Sequence, residues 1–254
     1  MDTLAILQAR CSSTRLPNKV IKPLADKEMI LHQIDRIKQC KNIDALVVAT
    51  STDPSDNALA ELCNRNSIEC FRGSLNNVLD RFYQAWSKHR SINIVRLTGD
   101  CPLTDPEVTD RVISEHIRFE ADYTSNVLPP TYPDGLDVEV FNSKSLETAW
   151  KNAKLPSELE HVTPYIINHP ELFSKHNVTQ SVDLSHLRWT VDNPEDFIFV
   201  EIIYHNFFNK EKNFLQKDIV EYIESHPEIK NINKLFTRNS GYNDSLKKDN
   251  IFIK

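Results

Sequence analysis

The pattern of hydrophobic and polar positions is regular over the first 120 of the 254 residues. Short apolar runs such as LAILQA and INIVRLTG alternate with longer segments whose apolar residues recur at helical spacing, as Ile30, Ile34 and Ile37 do. Such runs are typical of strands buried on both faces, and the periodic segments of amphipathic helices. Strands are predicted at 4–9, 45–51, 68–73 and 92–99, and helices at 30–40, 53–66, 75–89 and 105–119. This alternation predicts an α/β fold: a mostly parallel sheet flanked by helices on both faces.

The rhythm of the pattern changes near residue 120. The stretch LPPTYPDGLDVEVF (128–141) has three prolines and a glycine before an alternating strand. Further helices are predicted at 143–153, 157–168, 193–208 and 216–226. We therefore predict a single domain over 1–236 with a lobe inserted after residue 120, followed by a polar and loose tail over 237–254.

Composition narrows the classes of function. The net charge of −6 argues against a general surface for nucleic acid, so any basic site must be local. No apolar run approaches the roughly 20 residues that span a membrane, and the N-terminus has no basic leader or cleavage site. The five cysteines are odd in number and contain no C-x-x-C pair. We expect a cytoplasmic protein with reduced thiols and with no membrane or nucleic-acid partner.

A cluster of cationic and hydroxyl residues follows the first predicted strand. Arg10, Arg15 and Lys19 offer two planar guanidinium groups and one ammonium, and Ser13 and Thr14 add hydroxyl donors. In parallel sheets, ligands bind beyond the carboxyl ends of the strands, which is where this loop lies. The loop fits a triphosphate, although it lacks the glycines of the Walker A and dinucleotide-binding loops. An ordinary exposed basic loop with a proline turn is the alternative.

Acidic residues follow two other β-rich runs. Asp100 comes directly after the predicted strand 92–99, and Asp192 ends the run RWTVD. A hard cation such as Mg²⁺ is commonly held by one or two carboxylates together with substrate phosphates. Each aspartate alone is also compatible with a turn, and Asp105 is better explained as a helix N-cap. Two strand-terminal carboxylates together with the basic loop indicate a nucleotide and metal site.

These stretches together resemble the cytidylyltransferases that activate acidic sugars. ARCSSTRLPNK closely resembles the opening motif of 3-deoxy-manno-octulosonate cytidylyltransferases, and acylneuraminate cytidylyltransferases have a looser form of it. VVATSTDPSDNALAE, GDCPL and VDNPEDF resemble that family's second strand and helix, its metal-site turn and its late carboxylate motif. With PDGLDVEVF and EHVTPYI included, the chain is most similar to the cytidylyltransferases of the spore-coat polysaccharide biosynthesis protein F type.

The resemblance implies a nucleotide-diphospho-sugar transferase fold, a homodimer, and CMP transfer from CTP to an acidic sugar with release of pyrophosphate. It assigns nucleotide binding to about 1–120 and 185–210, and acceptor binding and dimerisation to about 121–184. Mg²⁺ would be held by Asp100 and Asp192, and catalysis would rest on Arg15, Lys19 and Asp100. The residues implied in nucleotide binding are Arg10, Ser13, Thr14, Arg15, Lys19, Thr50, Ser51, Asp80 and Arg81.

The acceptor side is less sharply defined by the sequence. His161 and Tyr165, four positions apart on one predicted helix, match a family spacing that contacts the sugar acid. Asp134 and Asp137 could line the acceptor pocket. Turn capping is an equally open interpretation for Asp134 and a less favoured one for Asp137, and a purely structural role is equally open for His161. Cys101 stands where octulosonate enzymes have an acid, which leaves the identity of the sugar open. Asn18 replaces a glycine that is common in this loop, and asparagine tolerates the left-handed conformation.

Two other functions remain open on sequence alone. A sugar-nucleotide-dependent glycosyltransferase of related fold would also use acids at strand ends, but it requires a late Asp-x-Asp motif and no triphosphate loop. A non-catalytic CTP-binding regulatory subunit would need no metal carboxylates, and both are present here.

Overall fold

The computed structural model describes residues 2–207, 213–236, 238 and 240–252. The strands are β1 (Thr3–Gln8), β2 (Pro23–Leu24), β3 (Lys27–Glu28), β4 (Ala45–Ser51), β5 (Cys70–Gly73), β6 (Asn93–Thr98), β7 (Tyr123–Ser125), β8 (Glu139–Asn142) and β9 (Lys175–Asn177). The α-helices are α1 (Met29–Ile37), α2 (Asn57–Arg65), α3 (Val78–His89), α4 (Pro106–Phe119), α5 (Ser143–Asn152), α6 (Pro156–His161), α7 (Pro164–Asn168), α8 (Pro194–Phe207), α9 (Gln216–Ser225), α10 (Pro227–Lys230) and α11 (Ser240–Phe252). Two 3₁₀ turns cover Lys19–Ile21 and Pro54–Asp56.

Seven strands form one sheet in the order β5-β4-β1-β6-β8-β7-β9. The central strand β1 pairs in parallel with β4 and β6, so that Ile6 lies opposite Val47 on one side and Arg96 on the other. β8 is antiparallel to both of its neighbours, and β9 is parallel to β7. The carboxyl ends of β1, β4 and β6 therefore meet at one edge, which is where ligands bind in open α/β sheets.

Both faces of the sheet are buried. Along β1, Ala5 and Leu7 belong to one hydrophobic cluster and Leu4 and Ile6 to a second cluster on the opposite face, each with no exposed surface. Alternate side chains of a strand point to opposite faces, so a strand that is apolar throughout requires cover on both sides. The predicted α/β architecture, mostly parallel and flanked by helices, is confirmed.

Most predicted elements are present. Before residue 120 the structure adds the two-residue strands β2 and β3, and the larger differences lie after residue 120. The three-residue strands β7 and β9 were not predicted, and with β8 they extend the main sheet from within the predicted lobe. The single helix predicted over 157–168 is two short helices, α6 and α7. Val162 separates them with a φ of 72°, which a β-branched residue rarely adopts. None of the helices in the described ranges is long and apolar enough to cross a bilayer.

The C-terminal segment differs from the loose tail that the sequence predicts. Residues Ser240–Phe252 form α11, which packs against α6. Residues 237, 239, 253 and 254 lie outside the described part of the chain. The residues that α11 buries against α6 are polar: Ser245 is only 1% and Asp249 only 6% exposed. The sequence of α11 therefore has the composition of a solvated tail although the helix is packed.

A buried carboxylate joins the first loop to β4. Asp56 has no exposed surface, and its Oδ1 accepts a hydrogen bond of 2.6 Å from the Cys11 amide. Its Oδ2 accepts from the Ser51 amide at 3.2 Å and from the Ser51 hydroxyl. Charge-assisted hydrogen bonds of this kind are stronger than neutral ones. Asp56 therefore fixes the loop after β1 against the end of β4.

We predict that Asp56→Asn lowers the free energy of unfolding by about 2 to 3 kcal/mol, because an amide NH₂ then faces backbone donors. Asp53→Asn is the matched control, since Asp53 caps the same 3₁₀ turn and asparagine caps a helix as well as aspartate does. Urea unfolding monitored by circular dichroism measures both changes. Equal losses in the two variants would contradict the anchoring role of Asp56.

Candidate active site

The loop after β1 is ordered by its own backbone hydrogen bonds. The Ser13 and Asn18 amides both donate to the Cys11 carbonyl, at 2.9 and 3.0 Å. Asn18 adopts φ 59°, as expected for a residue that replaces glycine there. Gly99, at the end of β6, permits close approach to this loop, because a Cβ at that position would lie 2.8 Å from the Ala9 Cβ.

Lys19 is the centre of the site. Its side chain is 9% exposed, and Nζ donates to Asp192 Oδ1 at 2.9 Å, to Asp100 Oδ2 at 3.3 Å and to the Val191 carbonyl at 2.6 Å. The Arg15 guanidinium lies 3.2 Å from the other oxygen of Asp192. The structure thus brings together four of the residues singled out from the sequence, from three segments far apart in the chain.

Electrostatics keeps this cluster charged. Burial acts to lower the pKa of Lys19, but Asp100 and Asp192 outweigh it and raise that pKa. Burial likewise acts to raise the pKa of Asp100, whereas Lys19 and hydrogen bonds from Thr98 and Lys19 bring it down to about 2. Both groups are ionised at neutral pH, so the edge of the sheet presents two carboxylates and two cations.

Arg188 also holds Asp192 in place, a role that the sequence did not predict. Its Nη2 donates to Asp192 Oδ2 at 3.1 Å, and Nε and Nη1 donate at 2.9 Å to Asp196 and Asp134. Asp196, fully buried, also accepts from the backbone amides of Asp192 and Asn193. Despite burial, these carboxylates raise the pKa of Arg188 above its ordinary value. The only sequence signal was an arginine within the RWTVDNPEDF motif.

Arg81 is a buried guanidinium with unmet donors. The residue is 2% exposed, and Nε and Nη1 have no hydrogen-bond partner among the described residues. The Thr50 hydroxyl, buried at the end of β4, likewise has none within the same ranges. Burial lowers the pKa of Arg81 to about 10, with Arg10 acting in the same direction and Asp56 against it. Buried polar groups without partners are rare, so these atoms indicate a ligand site.

Other predicted nucleotide residues already have protein partners. The Ser51 hydroxyl donates to Asp56, and Asp80 Oδ1 accepts from Trp150 Nε1 at 2.9 Å. Ser13 Oγ accepts from the Leu16 amide at 3.4 Å, and Thr14 is exposed. These contacts give Ser51 and Asp80 roles in holding the walls of the site.

On the acceptor side, three predicted residues lie in different settings. Asp137 pairs with Arg238, and burial raises the pKa of this carboxyl. His161 ends α6, whereas Tyr165 lies in α7 and stacks on His169 at 4.1 Å. His161 and Tyr165 therefore do not share one helix face as predicted, because the chain turns at Val162 between them.

Comparison with known proteins agrees with this geometry. The family model described as cytidylyltransferase matches residues 4–238. The chain belongs to the cytidylyltransferase family. It is therefore a CTP-dependent nucleotidyltransferase that transfers CMP, and the predicted family is confirmed.

The similarity of this cytidylyltransferase to known proteins extends over most of its chain. It is 38% identical over 92% of its chain to an uncharacterized protein of Methanocaldococcus jannaschii, of which 95% is covered. It is 36% identical to the spore coat polysaccharide biosynthesis protein SpsF of Bacillus subtilis, over 80% of this chain and 86% of that protein. Among solved structures, a cytidylyltransferase from Leptospira borgpetersenii matches with a TM-score of 0.87 and 30% identity, over 93% of this chain and 100% of that one. The predicted nucleotidyltransferase fold is confirmed.

The lowered pKa of Asp100 predicts a loss of stability in acid. A carboxylate with a depressed folded-state pKa stabilises the protein above its unfolded pKa, and that stabilisation disappears as pH falls through the folded value of about 2. We expect wild type to exceed Asp100→Asn in free energy of unfolding by about 1 to 2 kcal/mol at pH 6, with the excess shrinking between pH 4 and 2.

Urea unfolding at a series of pH values measures this difference. Glu61→Gln, at an exposed position of α2, is the control and should give a difference from wild type that does not change over that range. Parallel curves for wild type and Asp100→Asn from pH 5 to 2 would show that Lys19 does not hold Asp100 ionised.

Proposed function

We propose that the enzyme transfers CMP from CTP to a hydroxyl of an acidic sugar of the nonulosonic or octulosonic type, for cell-surface polysaccharide biosynthesis. The observation that carries the proposal is the contact of Lys19 with Asp100 and Asp192 beside the Arg15 loop. The likeness to SpsF and the octulosonate-type opening motif support the class of acceptor. The same likeness supports a cytoplasmic homodimer.

The carboxylates fit a divalent cation. Lys19 Nζ lies within 3.3 Å of both Asp100 and Asp192, so a positive charge is already held between them. We propose that Mg²⁺ binds these two carboxylates together with phosphate oxygens of CTP, because Mg²⁺ characteristically uses one or two carboxylates plus phosphates. When bound, the ion supplies neutralisation of the phosphate charge.

The cations of the loop match the demands of the reaction. The hydroxyl oxygen of the sugar bonds to the α-phosphorus of CTP and releases its proton to solvent. The bond from that phosphorus to the bridging oxygen breaks, and pyrophosphate leaves with the developing charge. Arg15 and Lys19 would offset that charge, and Arg10 would help to orient the triphosphate. Such transfers depend mainly on positioning and electrostatic stabilisation, and they require no covalent nucleophile from the protein.

Arg81 and Thr50 supply the donors for the rest of the nucleotide. Their unpaired buried atoms favour a polar ligand that accepts hydrogen bonds, as the carbonyl of a cytosine ring or a ribose oxygen does. An unpaired buried guanidinium costs stability in the free protein, and a nucleotide that meets its donors recovers that cost.

The decisive experiment is a pyrophosphate-release assay with each of the four nucleoside triphosphates, Mg²⁺ and a panel of sialic, legionaminic, pseudaminic and octulosonic acids. We expect release that requires CTP and one acceptor and that Asp100→Asn abolishes. CTP binding without release from any acceptor would favour a regulatory subunit. Failure to bind CTP would reject the proposal.

We predict that Arg81→Met weakens CTP binding by about 10- to 100-fold, the size of one or two charge-assisted hydrogen bonds. The same variant should unfold at no lower urea concentration than wild type, because it removes a buried guanidinium two of whose donor atoms have no partner among the described residues. Isothermal titration calorimetry and urea unfolding measure the two effects. Arg65→Met, at an exposed position of α2, serves as the control. Undiminished CTP affinity in Arg81→Met would place the nucleotide elsewhere.

A further inference from the structure

The C-terminal helix α11 lies beside α6 and runs antiparallel to it. At the start of α6, Asp249 Oδ1 accepts a hydrogen bond of 2.9 Å from the Ser157 amide. At the end of α6, Ser245 Oγ lies 2.9 Å from His161 Nε2. Tyr242 places its ring edge-on to His161 at 5.2 Å between centroids. These three contacts of α11 extend along α6 from its first residues to the predicted acceptor residue His161.

The buried face of α11 is polar. Ser245 and Asp249 are buried, whereas Ile251 and Phe252 are 76% and 61% exposed. Helices generally dock through an apolar face, which supplies most of the stabilisation. Asp249 gives α6 a cap that its own N-cap residue, Leu155, cannot provide. The contacts of α11 are therefore suited to orienting α6 and His161.

Hydrogen-bond balance at Ser245 fixes the protonation of His161. Ser245 has one hydroxyl hydrogen, and its oxygen lies 2.9 Å from the Glu160 carboxylate and 3.3 Å from the Gly241 carbonyl. Both of these groups only accept, and the carboxylate is the strongest acceptor within reach of the hydroxyl, so Ser245 donates to Glu160 and its oxygen accepts from His161. His161 must then carry its hydrogen on Nε2. Nδ1 has no hydrogen bond to the described residues and retains its lone pair.

The charges around His161 keep the ring neutral. Burial is the main cause that lowers the pKa of His161, to about 4, and Arg96 on β6 and Arg10 in the first loop act in the same direction. Glu160 on α6 and Glu139 on β8 oppose them. On α11, the Lys248 ammonium lies 3.4 Å from Glu160. At neutral pH the imidazole therefore has one hydrogen and one acceptor nitrogen.

We propose that Ser245, held by Glu160, is a positioning residue that fixes His161 as the Nε2–H tautomer and leaves Nδ1 to accept a hydrogen bond from a hydroxyl of the acceptor sugar. This inference rests on the proposed function and on the expectation, which the family resemblance implies, that His161 contacts the acceptor sugar. It assigns α11, which lies beyond the end of the family match at residue 238, to the active site. The Glu160 carboxylate also lies 3.9 Å from Arg10, which links this pair to the nucleotide loop.

Nitrogen-15 NMR of the histidine rings in the full-length protein tests the tautomer without any substrate. We expect an Nε2–H signature for His161 in wild type, a mixture of tautomers in Ser245→Ala, and recovery in Ser245→Thr, which retains the hydroxyl. Lys247→Ala, on the exposed side of α11, should match wild type. An unchanged Nε2–H tautomer in Ser245→Ala would overturn the inference.

Steady-state pyrophosphate release gives the second readout, with CTP and the acid of the panel that wild type uses. In Ser245→Ala, KM for the acceptor should rise about five- to tenfold, the size of one lost hydrogen bond, while KM for CTP stays unchanged. Equal rises in both KM values would indicate general damage and would overturn the positioning role. Failure of the proposed function would appear as absent release in wild type, whereas failure of this inference is read from the ring tautomer.

Discussion

The site depends on one buried ammonium. Lys19 lies between Asp100 and Asp192, and it reaches both from the first turn after β1. An unpaired ammonium at this depth would be strongly unfavourable, so the buried Lys19 side chain requires the two carboxylates beside it. The contact also joins the segment after β6 to the segment that enters α8. The architecture makes this possible, because β1 and β6 are parallel neighbours whose carboxyl ends coincide.

A second layer of ion pairs keeps the first in place. Arg188 binds Asp134, Asp192 and Asp196, and Asp196 in turn accepts from the backbone just before α8. Loss of any one member of such a buried network leaves an unpaired charge and lowers the stability of the protein. When all members are present, the network is rigid. It therefore presents Asp192 in one orientation before any ligand arrives. Preorganised charge of this kind is what nucleotidyl transfer requires.

The parts of the fold that sequence predicted are those with a strong periodic signal. β1, β4 and β6 are continuous apolar runs because both of their faces are covered, and their ends located Lys19 and Asp100 correctly at one edge. β7 and β9 are three-residue strands without such a run, so their sequences carry no comparable signal. No glycine or asparagine marks the helix break at Val162, so the sequence does not predict it. This break places His161 and Tyr165 on separate helices.

Side chains that act through partners distant in sequence were the hardest to predict. Ser245 and Asp249 have the composition of a solvated tail, and only the packing of α11 on α6 shows that they are buried. Arg188 lies in the RWTVDNPEDF motif, whose sequence pattern points to its acidic residues. Its three carboxylate partners come from both sides of it in the chain. Hydrophobic periodicity locates elements, but polar contacts between them leave no periodic trace.

The two ends of the proposed nucleotide site differ in how their cations are paired, and this difference bears on recognition. Arg10, Arg15 and Lys19 each face a carboxylate, so a triphosphate must exchange existing ion pairs for new ones and gains little net free energy from them. Arg81 has two donor atoms without a partner among the described residues, so a ligand that meets them gains their full hydrogen-bond energy. Affinity should therefore come chiefly from the Arg81 end of the site. In the proposed reaction the paired cations would contribute most when charge develops on the departing pyrophosphate, since the added negative charge strengthens each of their contacts.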